Sequence, residues 1–246
     1  MRSDLAHDLT SPGRSAAAGD AALEDMRPGA AHAHGTLAQF RRLGVVPVIV
    51  IDDAADAEAL AAALVDGGLP CAEVTLRTPG ALEALRRMAA AQPELLVGAG
   101  TVLTPLQAAE ASAAGARFVV APGFNRRTVD YCLAREIPVF PGVCTPSEIE
   151  AALDAGLGAL KFFPAEPMGG LPFLKAIAAP YGGVAFMPTG GITRAALAEY
   201  LAFERVAACG GSWMAPADWI RARQFDRIRD EVAQTVAAVA ACRRVP

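Results

Sequence analysis

From residue 45 onward, the chain alternates short apolar runs with longer segments of helical periodicity. The apolar runs have strand length, and the segments between them begin at Asp, Thr or Ser and end at or near Gly, as helices do. The predicted strands are VVPVIVI (45–51), CAEVTLR (71–77), LLVGAGT (95–101), RFVVAP (117–122), IPVFPG (137–142), ALKFFP (159–164), VAFMPTG (184–190) and RVAACGG (205–211).

Eight strand–helix units of nearly equal length predict an α/β fold, the (β/α)8 TIM barrel, for which about 250 residues is typical. The stretch 35–44 predicts a helix that closes the bottom of the barrel. An open doubly wound sheet is the alternative, but no G-x-G-x-x-G motif follows the first strand. Residues 1–34 lack a periodic apolar pattern, so we expect a flexible tail there and a barrel domain over 35–246.

Charged side chains interrupt two of the predicted strands. Alternation along a strand puts Glu73 and Arg77 on one face of 71–77. In 159–164 it puts Lys161 on the face opposite its apolar neighbours, Leu160 and Phe162. With the apolar faces against the helices, these three side chains point into the barrel, where branched apolar residues are the rule. The sequence therefore predicts an active site in this interior.

Lysine is scarce in this chain, since only Lys161 and Lys175 are lysine among the 22 Lys and Arg residues. Arginine keeps its proton, whereas a desolvated lysine can lose it. A neutral amine forms a Schiff base with a ketone, and the iminium then stabilises the carbanion left when an adjacent C–C bond breaks. This chemistry needs neither a metal nor an organic cofactor. Glu73 is the predicted proton-transfer group, and a structural ion pair between Glu73 and Lys161 is the alternative.

Other classes of function find little support in the composition. All three histidines (His7, His32 and His34) fall in the predicted tail, so histidine-dependent nucleophiles and His-ligated zinc are excluded from the predicted folded part. A net charge of −4 without a basic cluster argues against a nucleic-acid partner, and no apolar run reaches the ~20 residues of a membrane helix. The five scattered cysteines indicate reduced thiols of a cytosolic protein, with Cys144 as a candidate reactive thiol.

Two glycine pairs follow the last two predicted strands, in PTGGIT (188–193) and CGGSW (209–213). The loops after strands 7 and 8 of this barrel frequently bind phosphate through backbone N–H groups. Either pair alone is more typical of a turn. Both pairs at the two expected positions favour a phosphate site.

Several motifs, taken together, resemble one family. PVIVID, EVTLRT, VGAGTV, APGF, FPGVCTPSE, KFFPAE, MPTGGI and GGSWMAP are similar to segments of the 2-keto-3-deoxy-6-phosphogluconate (KDPG) aldolases, which also accept 4-hydroxy-2-oxoglutarate (KHG). The resemblance runs from about residue 36 to residue 240. It implies that Lys161 forms the Schiff base, that Glu73 transfers protons, and that Arg77 and Thr101 hold the pyruvate carboxylate. It also implies a phosphate end lined by Thr189, Gly190, Gly191, Gly211 and Ser212.

The resemblance further implies a cytoplasmic homotrimer of the Entner–Doudoroff pathway that acts on small phosphorylated keto acids without a cofactor. Cys144 departs from it, because a small residue is expected there. An aldolase for the galactonate epimer of KDPG is the nearest alternative, and Thr189 favours the gluconate enzyme. A phosphosugar isomerase or a non-catalytic phosphate-binding barrel would leave an inward Lys161 unexplained.

Overall fold

The structure, a computed structural model, describes residues 28–242, with side chains from residue 35 onward. Helices and parallel strands alternate along this part of the chain. The strands are β1 (Val45–Ile49), β2 (Cys71–Thr75), β3 (Leu96–Gly100), β4 (Val119–Val120), β5 (Val139–Phe140), β6 (Gly142–Val143), β7 (Ala159–Phe162), β8 (Ala185–Pro188) and β9 (Cys209–Gly211). The helices are α1 (Pro28–Leu43), α2 (Ala57–Asp66), α3 (Ala81–Ala91), α4 (Pro105–Ala113), α5 (Arg126–Leu133), α6 (Pro146–Asp154), α7 (Gly170–Ala178), α8 (Leu197–Leu201), α9 (Ala217–Arg221) and α10 (Phe225–Cys242).

The strands form two parallel sheets. The six-stranded sheet has the order β5-β4-β3-β2-β1-β9, and the three-stranded sheet has the order β6-β7-β8. Strands β5 and β6 are the two parts of one predicted strand, interrupted at Pro141, which has no backbone N–H to donate. Two isolated parallel bridges, Phe186 to Val206 and Thr189 to Gly210, connect β8 with the chain around β9. The predicted parallel α/β fold is confirmed, and a strand lies within each of the eight predicted segments.

The apolar core has two parts, on opposite faces of the strands. The larger part lies between strands and helices and includes Leu160 and Phe162, the apolar neighbours of Lys161. The smaller part lies on the inner face, where α1 contributes Phe40. The Phe40 ring lies with its centroid 5.0 Å from that of Phe118 and 5.1 Å from that of Phe140. Helix α1 therefore packs against the inner face of the strands, as a helix placed at the end of a barrel would.

The start of the folded region differs from the prediction. Helix α1 begins at Pro28 and not at residue 35, so it includes the positions of His32 and His34. The expectation that no histidine lies in the folded part is therefore wrong for these two positions. The rest of the predicted tail, residues 1–27, lies outside the described residues. None of the described helices combines the length and the apolar character needed to cross a membrane.

Candidate active site

Lys161 and Glu73 meet inside the fold, as the alternation of their strands predicts. Lys161 lies on β7 and Glu73 on β2, which belong to different sheets. The lysine Nζ is 3.3 Å from Glu73 Oε1, with 6% of the lysine side chain exposed and none of the glutamate side chain. The two strands are not paired, so this ion pair crosses the interior between the sheets. A buried amine therefore has one carboxylate beside it and only a small area exposed to solvent.

The second carboxylate oxygen of Glu73 is free to bind something else. Oε2 is buried and has no hydrogen-bond partner, although nearly all buried polar atoms in folded proteins have one. The carboxylate has this room because Gly100, on the neighbouring strand β3, has no side chain. A Cβ added at Gly100 would overlap the Glu73 carboxylate. Glu73 can thus accept a proton, or a hydrogen bond donated by a hydroxyl, at Oε2 while Oε1 faces the amine.

Phe163, which the sequence reasoning did not select, lies over the amine. The Lys161 Nζ is 5.1 Å from the centroid of the Phe163 ring, within the range of a cation–π contact. The spacing contained a signal for it, because Phe163 is two residues after Lys161 and side chains two apart share a face of a strand. The amine therefore lies between a carboxylate and an aromatic face.

Arg77 does not lie on a strand, which corrects the prediction of a strand over 71–77. Strand β2 ends at Thr75, and Arg77 lies exposed in the turn that follows. Its Nε donates to Thr101 Oγ1 at 3.2 Å. Thr101 follows β3 and has φ 58°, in the left-handed region that a β-branched residue rarely adopts. Parallel pairing of Thr75 with Gly100 brings the two residues together, so the pair named from the resemblance does meet at the carboxyl ends of β2 and β3.

The five residues predicted for the phosphate end lie after β8 and at the end of β9. Thr189 is buried directly after β8 and bridges to Gly210, which brings the two glycine pairs side by side. Gly190 and Gly191 have φ of 104° and 82°, which only glycine adopts readily. Gly211 ends β9 and Ser212 follows it, exposed.

Gly211 also has a packing role that its motif did not reveal. A Cβ at Gly211 would overlap the indole of Trp213. The Trp213 Nε1 in turn donates to Thr235 Oγ1 on α10, at 3.2 Å. Gly211, the last residue of β9, thus lets the tryptophan fold back over the strand end, and α10 holds the tryptophan there.

Cys144 is half-buried in the turn before α6. Burial, and secondarily the charge of Glu148, raise the pKa of its thiol. A raised pKa leaves less of the reactive thiolate at neutral pH, so the environment opposes the idea of a reactive cysteine. Among residues 28–242, no group of three or more His, Cys, Asp or Glu side chains is arranged to hold a metal ion.

The arrangement of these side chains defines a class of enzyme. An amine buried beside a carboxylate, in the interior enclosed by parallel strands, is what a Schiff-base aldolase requires to form an imine and move protons. The family model for KDPG and KHG aldolases matches residues 37–231. The chain belongs to the KDPG and KHG aldolase family.

Individual relatives agree with this assignment. The 2-dehydro-3-deoxy-phosphogluconate aldolase of Treponema pallidum is 49% identical over 200 residues, which are 81% of this chain and 95% of the relative. The KDPG aldolase of Legionella pneumophila, solved with pyruvate captured as a covalent carbinolamine intermediate, superposes with a TM-score of 0.77 at 42% identity, over 85% of this chain and 98% of that one. The KDPG aldolase of Zymomonas mobilis ZM4, solved with 3-phosphoglycerate, has a TM-score of 0.76 at 41% identity, over 82% of this chain and 95% of that one.

Proposed function

We propose that the protein cleaves KDPG to pyruvate and glyceraldehyde 3-phosphate, and KHG to pyruvate and glyoxylate. The observation that carries this proposal is the buried pair of Lys161 and Glu73, 3.3 Å apart, with one carboxylate oxygen unpartnered. A buried carboxylate oxygen without a protein partner is uncommon, and a catalytic role is one of the recognised reasons for it.

The proximity of Lys161 and Glu73 supports the following sequence of steps. The Lys161 amine attacks the ketone carbon, and loss of water from the carbinolamine gives the iminium. The C3–C4 bond breaks as the C4 hydroxyl gives its proton to Glu73, and the aldehyde leaves. The resulting enamine takes a proton back at its methylene carbon, and water hydrolyses the imine to release pyruvate. The captured carbinolamine in the Legionella pneumophila enzyme supports the first step by similarity.

The two ends of the substrate would be held by different kinds of donor. Arg77 and Thr101 lie at the carboxyl ends of β2 and β3, where a guanidinium and a hydroxyl can bind the pyruvate carboxylate. At the other end, the donors are the backbone N–H groups and hydroxyls of the phosphate-end residues, which suit an anion. These residues are Thr189, Gly190, Gly191, Gly211 and Ser212. The Zymomonas mobilis enzyme was solved with 3-phosphoglycerate, which carries both a carboxylate and a phosphate, and this supports a substrate with both groups by similarity.

We further propose that the strands close into one eight-stranded barrel with α1 across its amino end. Strands β5 and β6 are consecutive parts of one chain segment that pairs with both sheets, and the Phe186 and Thr189 bridges link the opposite edges. From the family resemblance, we also propose that the protein is a cytoplasmic homotrimer. Exposed Leu103 and Leu106 offer apolar surface for a contact between subunits.

Borohydride reduction in the presence of pyruvate tests the proposed chemistry. Reduction should leave a covalent pyruvate adduct on Lys161, located by peptide mass spectrometry. Lys161→Arg should abolish both the adduct and cleavage while the fold survives, because a guanidinium does not form the imine. Lys175→Arg is the matched control: Lys175 lies on α7, with its Nζ 5.8 Å from the Phe203 ring centroid, and should keep both. Cleavage by Lys161→Arg within about tenfold of wild type would disprove the Schiff-base assignment.

An aldolase for the galactonate epimer is the second candidate. Thr189, buried next to the glycine turn, favours the gluconate enzyme by the family resemblance. Side-by-side kinetics on KDPG, its galactonate epimer and KHG measure the preference. The proposal requires that kcat/KM for KDPG exceed that for the epimer.

A further inference from the structure

Tyr200 and Glu166 form a hydrogen-bonded pair beside the glycine turn after β8. Tyr200 lies on α8 and is 2% exposed, and Glu166 lies in the turn after β7. The Tyr200 hydroxyl donates to Glu166 Oε1 at 2.5 Å. Burial and this carboxylate raise the pKa of the tyrosine well above its usual value, so the hydroxyl stays a donor. Neither residue has a part in the chemistry at Lys161.

Glu166 connects this pair to the turn in two ways. Its backbone N–H donates to the carbonyl of Gly190 at 2.9 Å, next to the bond from Ala165 N to the carbonyl of Thr189 at 2.8 Å. Its side chain also lies directly on Gly191, where an added Cβ would come 2.7 Å from Glu166 Cβ. The position of Glu166 therefore helps to set the shape of the Gly190–Gly191 turn.

We infer that Tyr200 is a positioning residue, which holds Glu166 and through it the Gly190–Gly191 turn in the shape that binds the substrate phosphate. This inference rests on the proposed function. The hydroxyl also keeps the negative Glu166 carboxylate directed toward α8. A carboxylate that moved toward the bound phosphate would repel it.

The two proposed substrates separate this role from a general one. KDPG carries a phosphate and KHG does not, whereas both form an imine with Lys161 at C2 and leave the same pyruvate enamine after cleavage. A residue that shapes only the phosphate end should change KM for KDPG and leave KHG cleavage as it was.

Tyr200→Phe removes the hydroxyl and keeps the buried ring. We expect KM for KDPG to rise about tenfold, the order of effect that losing a hydrogen bond to a charged group can have. kcat for KDPG, and both constants for KHG, should stay near wild type. Tyr181→Phe is the matched control, because it also removes a tyrosine hydroxyl that donates to a carboxylate, Glu150 Oε1, at 3.1 Å. Tyr181 lies on the segment before the amino end of β8, away from the glycine turn. This variant should leave kcat and KM unchanged for both KDPG and KHG.

A double variant tests whether the effect passes through Glu166. On a Glu166→Ala background the hydroxyl has lost its partner, so adding Tyr200→Phe should raise KM for KDPG no further. Additive increases in KM from the two substitutions would overturn the inference. An unchanged KM for KDPG in Tyr200→Phe would also overturn it, and so would equal losses of activity on KDPG and KHG with a lowered melting temperature. A wild-type protein that cleaves neither acid would refute the proposed function and the inference with it. Failure of the variant alone, with wild-type cleavage intact, refutes only the inference.

Discussion

Replacing Glu73 by Gln separates a catalytic carboxylate from a structural partner of the lysine. Glutamine preserves the shape of the side chain and an acceptor oxygen for the Lys161 amine, but it removes the charge and the ability to take a proton. Because Glu73 is fully buried and Gly100 leaves space only for a side chain of this shape, a substitute of equal size is needed.

The structure sets the size of the electrostatic effect, and general acid–base catalysis has a typical size of its own. Charges 3.3 Å apart attract by about 5 kcal/mol at an effective dielectric constant near 20. Loss of general acid–base catalysis lowers kcat by about 10²–10⁴, which is about 3–5 kcal/mol of barrier. The two magnitudes overlap, so a fall in kcat by itself does not identify the role. No replacement is at hand, since Asp56, the other buried carboxylate of the described residues, pairs with Arg223 outside the strands.

Exchange of the methyl protons of pyruvate with D₂O identifies the role of Glu73. At saturating pyruvate the imine is already formed, and exchange then measures only proton transfer at the methyl carbon. If Glu73 is the acid–base group, exchange in Glu73→Gln should slow by about the same factor as kcat, while borohydride trapping at Lys161 still goes to completion. If Glu73 only pairs with the amine, the pH dependence of imine formation should shift and exchange should stay normal. Normal exchange in the variant would refute the assignment of proton transfer to Glu73.

Three further changes test the surroundings of the site. Gly100→Ala should lower kcat strongly, because the added Cβ displaces the Glu73 carboxylate. In the control Gly98→Ala, on the same strand, the added Cβ meets an aromatic ring, so this variant should lose stability with a smaller loss of kcat. Equal losses of kcat at equal stability would contradict the expectation. Deletion of residues 1–27 should leave kcat and KM unchanged, because the family match begins only at residue 37; a loss of activity would show that this segment supports the fold. Alkylation of Cys144 by iodoacetamide should be slower at pH 7 than that of a free cysteine and should accelerate as the pH rises, since a raised pKa leaves less thiolate. A rate at pH 7 equal to that of the free amino acid would contradict the raised pKa.

The fold was predictable because its signals are local and repeated. Each apolar run with capped helices on either side identifies one strand–helix unit, and the alternation on β2 and β7 suffices to turn Glu73 and Lys161 inward. The ends of the elements were less predictable. The extended pattern of 71–77 does not show that β2 stops at Thr75, because the end depends on where the paired strand β3 stops, which is a tertiary contact.

The residues that the sequence reasoning missed act through contacts between distant segments. Tyr200 reaches Glu166 and Trp213 reaches Thr235 across gaps of 34 and 22 residues. Nothing in the periodicity of α8 distinguishes Tyr200, and nothing in that of α10 distinguishes Thr235, from an ordinary helix residue that faces the core. Phe163 alone had a usable signal, its spacing of two from Lys161.

The glycines of the two phosphate-end motifs are present for different physical reasons, and this changes how far each motif supports the site. Gly211 lies under Trp213, and Gly210 lies against Thr189, so an added Cβ would overlap either neighbour. Packing alone therefore accounts for both glycines of β9, whether or not a ligand binds there. Gly190 and Gly191 adopt a backbone that other residues avoid, in a turn held by hydrogen bonds from the segment after β7. The case for a phosphate site accordingly depends mainly on the turn after β8, which is the turn that Tyr200 and Glu166 hold in place.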